Sequence, residues 1–163
     1  MTPEETAVYE TLNGLGIAYT RYEHPPVFTV EEAERHWAAI DAAHCKNLFV
    51  RNQKGDRHYL VIAGKDTRVD LKALATRLGC DRLSFASPER LLKFLGLTPG
   101  AVSPFGLIND RARAVIVVLD AGLEAAVRIA FHPNVNTATI VLDYADFARF
   151  LAWTGHSVRT VRI

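Results

Sequence analysis

Apolar residues recur along this chain in two alternating periods. Ala7, Val8, Leu12 and Leu15 share one helical face. Thr2 stands at the cap, Pro3 at the first helical position and Glu5 where a capping box places its carboxylate; Gly14 and Gly16 mark the end. Residues 18–23 then read as a strand. A second box, Thr29 with Glu32, opens a short acidic helix to about His36. Strands at 46–50 and 59–63 flank Lys54-Gly55-Asp56, a hairpin turn signal. Asp70 starts a helix whose Leu71, Leu74, Ala75 and Leu78 share a face, and Gly79 stops it. Residues 83–86 form a short strand. Ser87 and Pro88 open another helix, with Leu91, Leu92 and Leu95 expected inward. The run 114–119 is continuously apolar, so this strand is expected to be covered on both faces. Strands at 126–131 and 137–142 are separated by a polar break at 132–136. Asp143 is read as the cap of a last helix with Tyr144, Phe147, Ala148 and Leu151 at helical spacing. Residues 156–163 alternate as a closing strand.

Helices alternating with strands, with hairpins among them, predict an α/β fold and a mixed sheet rather than a parallel one. The length of 163 residues suits a single domain over 1–163, and 49% hydrophobic residues supply a core. No apolar run approaches the ~20 residues of a membrane span. The polar, acidic start of the chain does not read as a secretory leader. Cys45 and Cys80 share no ligand spacing, and a reduced, cytoplasmic protein is expected.

The net charge of +1 says little until it is divided along the chain. Residues 1–45 carry two arginines against eight acids, a net −6. Residues 46–93 carry eleven basic residues against five acids, a net +6. The basic middle is either a solvated face with acids nearby in space or a phosphate-facing surface. In the second case Arg51, Lys54, Arg57, Lys65, Arg68 and Lys72 are its candidate contacts.

Conventional catalytic motifs are missing: there is no GxSxG, no P-loop and no HExxH. Histidines 24, 36, 44, 58, 132 and 156 lack metal-ligand spacing, so no metal and no cofactor is expected. Both cysteines read as small core residues. Three weaker features remain. Lys46 is read as opening a strand beside Leu48 and Phe49, either as a snorkelling edge residue or as a cation aimed at a phosphate or carboxylate. The loop 97–106 crowds Pro99, Gly100, Pro104 and Gly106 together; it is either a plain connection or a stiff loop that presents backbone N–H groups. His132 and Asn134 stand at a strand break, where polar side chains often line a mouth. His24, ahead of two prolines, is either a surface residue or a group near a pocket.

Taken in order, Cys45-Lys-Asn-Leu-Phe-Val50, Gly100-Ala-Val-Ser-Pro104 with 106–110, and Phe131-His-Pro-Asn-Val-Asn-Thr-Ala138 resemble the YbaK-type aminoacyl-tRNA editing domain. The segment His24-Pro-Pro-Val-Phe-Thr29 with Glu31 and Glu32 is similar to the opening of the free-standing prolyl-tRNA editing group, the PrdX or ProXp-ala type. The resemblance covers nearly the whole chain. It implies a curved central sheet flanked by helices, and hydrolysis of the ester that joins a wrong amino acid to the tRNA 3′ end. Alanine on proline tRNA is the substrate it implies first. It also implies tRNA as partner, contacted by the six basic residues above, and a transient association with prolyl-tRNA synthetase. Lys46, Gly100 and His132 fall on the catalytic positions; Phe28, Asn47, Ser103, Pro104 and Asn134 fall in the substrate-binding segments. Assistance by the substrate's ribose 2′-hydroxyl is implied by the resemblance alone. Other readings stay open: a cysteine-specific deacylase of the same family, a non-catalytic module that senses aminoacyl-tRNA or a nucleotide, and a hydrolase of small esters.

Overall fold

The computed structural model describes residues 1–163. Five helices are formed: α1 (Pro3–Gly14), α2 (Val30–Trp37), α3 (Leu71–Leu78), α4 (Pro88–Leu95) and α5 (Tyr144–Thr154). The strands are β1 (Thr20–Glu23), β2 (Ala43–Asn52), β3 (His58–Gly64), β4 (Leu83–Phe85), β5 (Val115–Asp120), β6 (Arg128–Phe131), β7 (Ala138–Asp143) and β8 (Val158–Val161). They make one sheet in the order β1-β7-β6-β2-β3-β5-β8, with β4 paired to β2. The hairpins β2–β3 and β6–β7 are antiparallel, whereas β3–β5, β5–β8 and β2–β6 are parallel. The sheet is therefore mixed, as the pattern predicts.

β2 is the pivot. One edge pairs with β3 from Cys45 to Arg51. The other edge pairs with β6 only at Ala43 and His44, and with β4 only from Val50 to Asn52. Between these two partners the strand has an uncovered stretch at Cys45–Leu48, closed at Phe49, whose carbonyl accepts from Ala86 N–H at 2.9 Å. The expected position of Lys46 is corrected here. The strand begins at Ala43, so Lys46 lies inside it and not at its mouth. The parallel rungs to β6 extend β2 upstream of the point where the apolar pattern starts.

Side chains alternate across the sheet. Cys45 and Phe49 enter the main core with Leu12 of α1, Leu95 of α4 and Phe147 of α5. Leu48 and Val50 turn to the other face, against Leu74 and Leu78 of α3. Trp37 and Ala33 of α2 pack a third cluster on Ala130 and Val141. In β5, Val117 belongs to the first cluster and Val118 to the second, the two-sided burial expected of its continuous apolar run. Burial at Cys45 pushes its thiol up to about 12, which suits a core residue.

Several local expectations change. Thr2 caps α1, with Glu5 N–H donating to its hydroxyl at 3.2 Å. The Glu5 carboxylate does not close the box. It accepts from Tyr9 Oη at 2.6 Å and Arg21 Nε at 2.7 Å. Burial alone would raise the pKa of Glu5; the bonds from Arg21 and Tyr9, with the Arg21 charge, outweigh it and leave it lowered. Asp143 sits at the start of α5 without a capping bond from its side chain. Leu92 is exposed: Leu91 and Leu95 lie one turn apart on the core face, and Leu92 is rotated roughly 100° from Leu91. Ala148 is also exposed, and α5 buries Phe147, Phe150 and Leu151. His24 is buried rather than a surface group.

Candidate active site

The loop after α4 owes its shape to Pro99 and Gly100. Ala101 N–H donates to Thr98 O at 3.1 Å, closing a turn with Pro99 and Gly100 at its centre. Gly100 has φ 91°, the positive value that the third residue of a type II turn takes, where glycine is unstrained. Among the N–H groups of residues 100–103, only that of Ala101 has an acceptor in the protein. The far end of the loop is anchored. Ser103 is 0% exposed, and its hydroxyl accepts from Phe105 N–H at 3.1 Å to cap the 3₁₀ turn Pro104–Asn109. Pro104 is buried as well. Ser103 and Pro104 thus hold the loop from within, while Gly100 presents its backbone.

Two hollows meet at this turn. A hollow of about 200 Å³ is lined by Asn47, Leu48, Phe49, Phe85, Gly100 and Val102, among others. A cleft of about 530 Å³ is lined by Phe28, Leu92, Pro99, Ala101, Asn134 and Asn136, among others. Pro99 belongs to both, so Pro99–Ala101 forms the ridge between them. Phe28 is 68% exposed and stands against Gly100. Asn136 Nδ2 donates to Val27 O at 3.1 Å and fixes the segment that carries Phe28. The Oδ1 atoms of Asn47 and Asn134 are both buried without a hydrogen-bond partner. Such an atom typically costs ~1–3 kcal/mol unless a ligand or water satisfies it. A larger cleft of about 710 Å³, between α1, α5 and residues 107–113, contains none of the expected site residues.

Lys46 and Asn47 are neighbours in β2, so alternation sends them to opposite faces. Lys46 shares its face with His44 and Leu48, is half-buried and makes no ion pair. On that side the Trp37 ring stacks on His44 at 4.6 Å and lies 6.3 Å from His132, which is 5.8 Å from His24. The tautomers follow from the partners. His24 Nδ1–H donates to Pro25 O at 2.9 Å, so its Nε2 accepts from the Thr139 hydroxyl at 2.9 Å. Thr139 in turn accepts from Trp37 Nε1–H at 3.3 Å. His132 Nδ1–H donates to Ala138 O at 2.8 Å, which leaves Nε2 with a free lone pair. Burial holds the pKa of His132 down, with a small contribution from His24 in the same direction, against the bond to Ala138 that raises it.

The structure therefore brings Asn47 and Phe28 to Gly100, and Asn134 to Phe28. It places His132 with His24 and Trp37 beneath α2. The six basic residues do not form one patch. Arg51, Lys54 and Arg57 lie at the β2–β3 turn, where Arg51 donates to the carbonyls of Asn52 and Gln53. Lys65 and Arg68 follow the other end of β3, where Cys45 pairs with Gly64, and Lys72 opens α3. β3 spans seven residues, ~23 Å at strand rise, so the two groups are well separated. Lys65 is bound to Glu34 of α2 at 3.1 Å. Phe85, Leu92 and Trp37 carry no site signal in the sequence, where Leu92 reads only as a core residue. Asn136 lies within the 131–138 segment but has no role assigned there, and Pro99 is marked by its place next to Gly100.

Residues 24–150 match the family model of the aminoacyl-tRNA editing domain, and the chain belongs to that family. The prolyl-tRNA editing protein ProX of Acetoanaerobium sticklandii is 45% identical to it over 161 residues, 96% of either chain. The prolyl-tRNA synthetase associated domain-containing protein 1 of Danio rerio is 39% identical over 150 residues, covering 91% of this chain and 81% of the relative. A crystal structure of a candidate trans-editing enzyme for prolyl tRNA synthetase has the same fold, with a TM-score of 0.75 at 23% identity over 100% of this chain and 99% of that one. The fold expected from the motifs is the fold found.

Proposed function

We propose that this aminoacyl-tRNA editing protein, acting as one unit over residues 1–163, hydrolyses alanine from mischarged proline tRNA and spares prolyl-tRNA. The observation that carries this reading is the small hollow beside Gly100, where the Asn47 carboxamide has no partner. The α-ammonium of an aminoacyl ester donates N–H groups and satisfies that oxygen. The apolar walls take a methyl group. A site that activates proline cannot strongly exclude alanine, since each missing methylene discriminates by only ~1–3 kcal/mol. A second, smaller pocket excludes the larger side chain by contact.

In this reading water attacks the ester carbonyl carbon, and the bond from that carbon to the ribose oxygen breaks. The ribose oxygen leaves as a hydroxyl with a proton from the water, and the amino acid leaves as its carboxylate. The unpaired N–H groups at 100 and 102 are donors for the developing oxyanion. His132 Nε2 takes up the remaining proton, relayed through the substrate's 2′-hydroxyl, and Lys46 holds a terminal phosphate. Ser103 and Pro104 keep the donors in place. Lys65, Arg68 and Lys72 follow the tRNA backbone near the site, with Arg51, Lys54 and Arg57 at the far turn. Two free cysteines fit a reducing cytoplasm, and a passing contact with prolyl-tRNA synthetase would deliver the substrate.

The test is deacylation of tRNAs charged with alanine, serine, cysteine and proline by catalytic amounts of protein. Faster release of alanine than of proline is expected. Equal rates on these two would remove the steric argument, and a preference for cysteine would reassign the substrate within the family. Binding without turnover would leave a non-catalytic module. Equal activity on aminoacyl esters without tRNA would leave a hydrolase of small esters.

A further inference from the structure

We propose that the cleft beyond Gly100 is the subsite for the terminal adenine of the RNA, stacked on Phe28 and recognised through its 6-amino group by Asn134. The proposal rests on the deacylase reading above. The cleft, about 530 Å³, lies within the range of small-ligand sites and shares Pro99 with the hollow assigned to the amino acid. An ester held over the ridge Pro99–Ala101 has its amino acid on one side and its nucleoside on the other.

The residues match an adenine. Phe28 offers an exposed ring whose underside is occupied by Gly100, where a Cβ would come within 3.2 Å of Cδ1. A flat base on the open side covers apolar surface that water now meets. Asn134 is only 6% exposed, yet its side chain makes no hydrogen bond and its Oδ1 is buried. A carboxamide sets an acceptor and a donor side by side, and adenine sets its 6-amino donor beside a ring-nitrogen acceptor. The neighbouring Asn136 is already committed to Val27 O, so Asn134 is the carboxamide free for the base. The positive φ of Asn134, 62°, is one that asparagine tolerates better than most residues.

The experiment uses alanyl microhelix RNAs that end in adenosine or in purine riboside, which lacks the 6-amino group. For the wild type, KM is expected to be about tenfold higher on the purine end, as for loss of one good hydrogen bond, with little change in rate at saturation. Asn134→Gly keeps the backbone conformation and should show one KM for both ends. Phe28→Ala should raise KM about tenfold on both ends, and Phe28→Tyr should restore it. Equal KM values for the wild type on the two ends, or discrimination retained by a folded Asn134→Gly, would overturn the subsite and leave the deacylase reading standing. Should the glycine variant not fold, the wild-type comparison alone decides. No hydrolysis of either RNA would remove the deacylase reading and the subsite together.

Discussion

A Cβ added at Gly100 would lie 3.2 Å from Cδ1 of Phe28, closer than most such contacts. The backbone there also has φ 91°, where an L-residue is strained. Gly100→Ala should therefore cost about 1–2 kcal/mol in stability, the usual penalty of the left-handed region. It should also push the Phe28 ring aside and lower deacylation by about tenfold or more, a barrier change of ~1.4 kcal/mol. Urea unfolding and single-turnover rates check the two effects separately. An alanine variant with wild-type values for both would mean that neither the turn nor the ring contact is needed.

Lys46 makes no ion pair in the free protein. If it meets a phosphate or the reacting ester, Lys46→Ala should lose about 1.5–3 kcal/mol, the range for hydrogen bonds to charged groups. The rate would fall about ten- to a hundredfold or somewhat more. Arginine should not restore it, because its planar fork differs in shape from an ammonium. Circular dichroism should show a folded variant, since a half-buried lysine adds little to the core. A wild-type single-turnover rate would take Lys46 out of the mechanism.

Three histidines should make stability depend on pH. Burial lowers the pKa of His44, His58 and His132 from the ordinary 6.5, aided by the charges of Lys65 at His44 and Arg90 at His58. Above about 6.5 these groups are neutral in both folded and unfolded chains. As pH falls below that value the unfolded chain takes up protons first, so stability drops until the folded-state pKa values are passed. The urea midpoint should be lower at pH 5.5 than at pH 7.5, a range above that of Glu5, whose lowered pKa acts below 4.5. His132→Gln should flatten the dependence. Equal midpoints for the wild type at the two pH values would contradict the burial of these imidazoles.

The basic residues at the two ends of β3 should differ in effect. Binding that depends on phosphate contacts weakens with salt, with a slope of about −0.7 to −0.9 per contact. Arg68→Ala or Lys72→Ala should reduce that slope and raise KM, with little change in rate at saturation. Lys54→Ala, at the far turn, should do less. Equal effects at both ends would describe a footprint that runs the length of the hairpin.

Much of the fold was legible because caps, glycines and apolar periods agree locally. Each of the five helices and eight strands carries its own signal. The misreadings were made by distant partners. Arg21 and Tyr9 draw Glu5 away from its box, and β6 lengthens β2 upstream of Lys46. Candidate site positions are legible where backbone chemistry marks them, as at Pro99-Gly100, or where a family pattern points to them, as at Lys46 and His132, whose roles are proposals. Phe85 and Leu92 are not legible, because exposure of an apolar residue is decided by what packs nearby.

The uncovered stretch of β2 has a consequence for how such a protein avoids association. Backbone groups along an unpaired strand edge are a template for another chain, and most proteins blunt them at the rim of the sheet. Here the free edge lies in the middle of the sheet, between β6 and β4, with the Gly100 turn close by. A substrate the size of an aminoacyl group can reach donors and acceptors there that a whole strand cannot. In the reading proposed above, the open edge serves a small guest in a place too narrow for a strand of another copy.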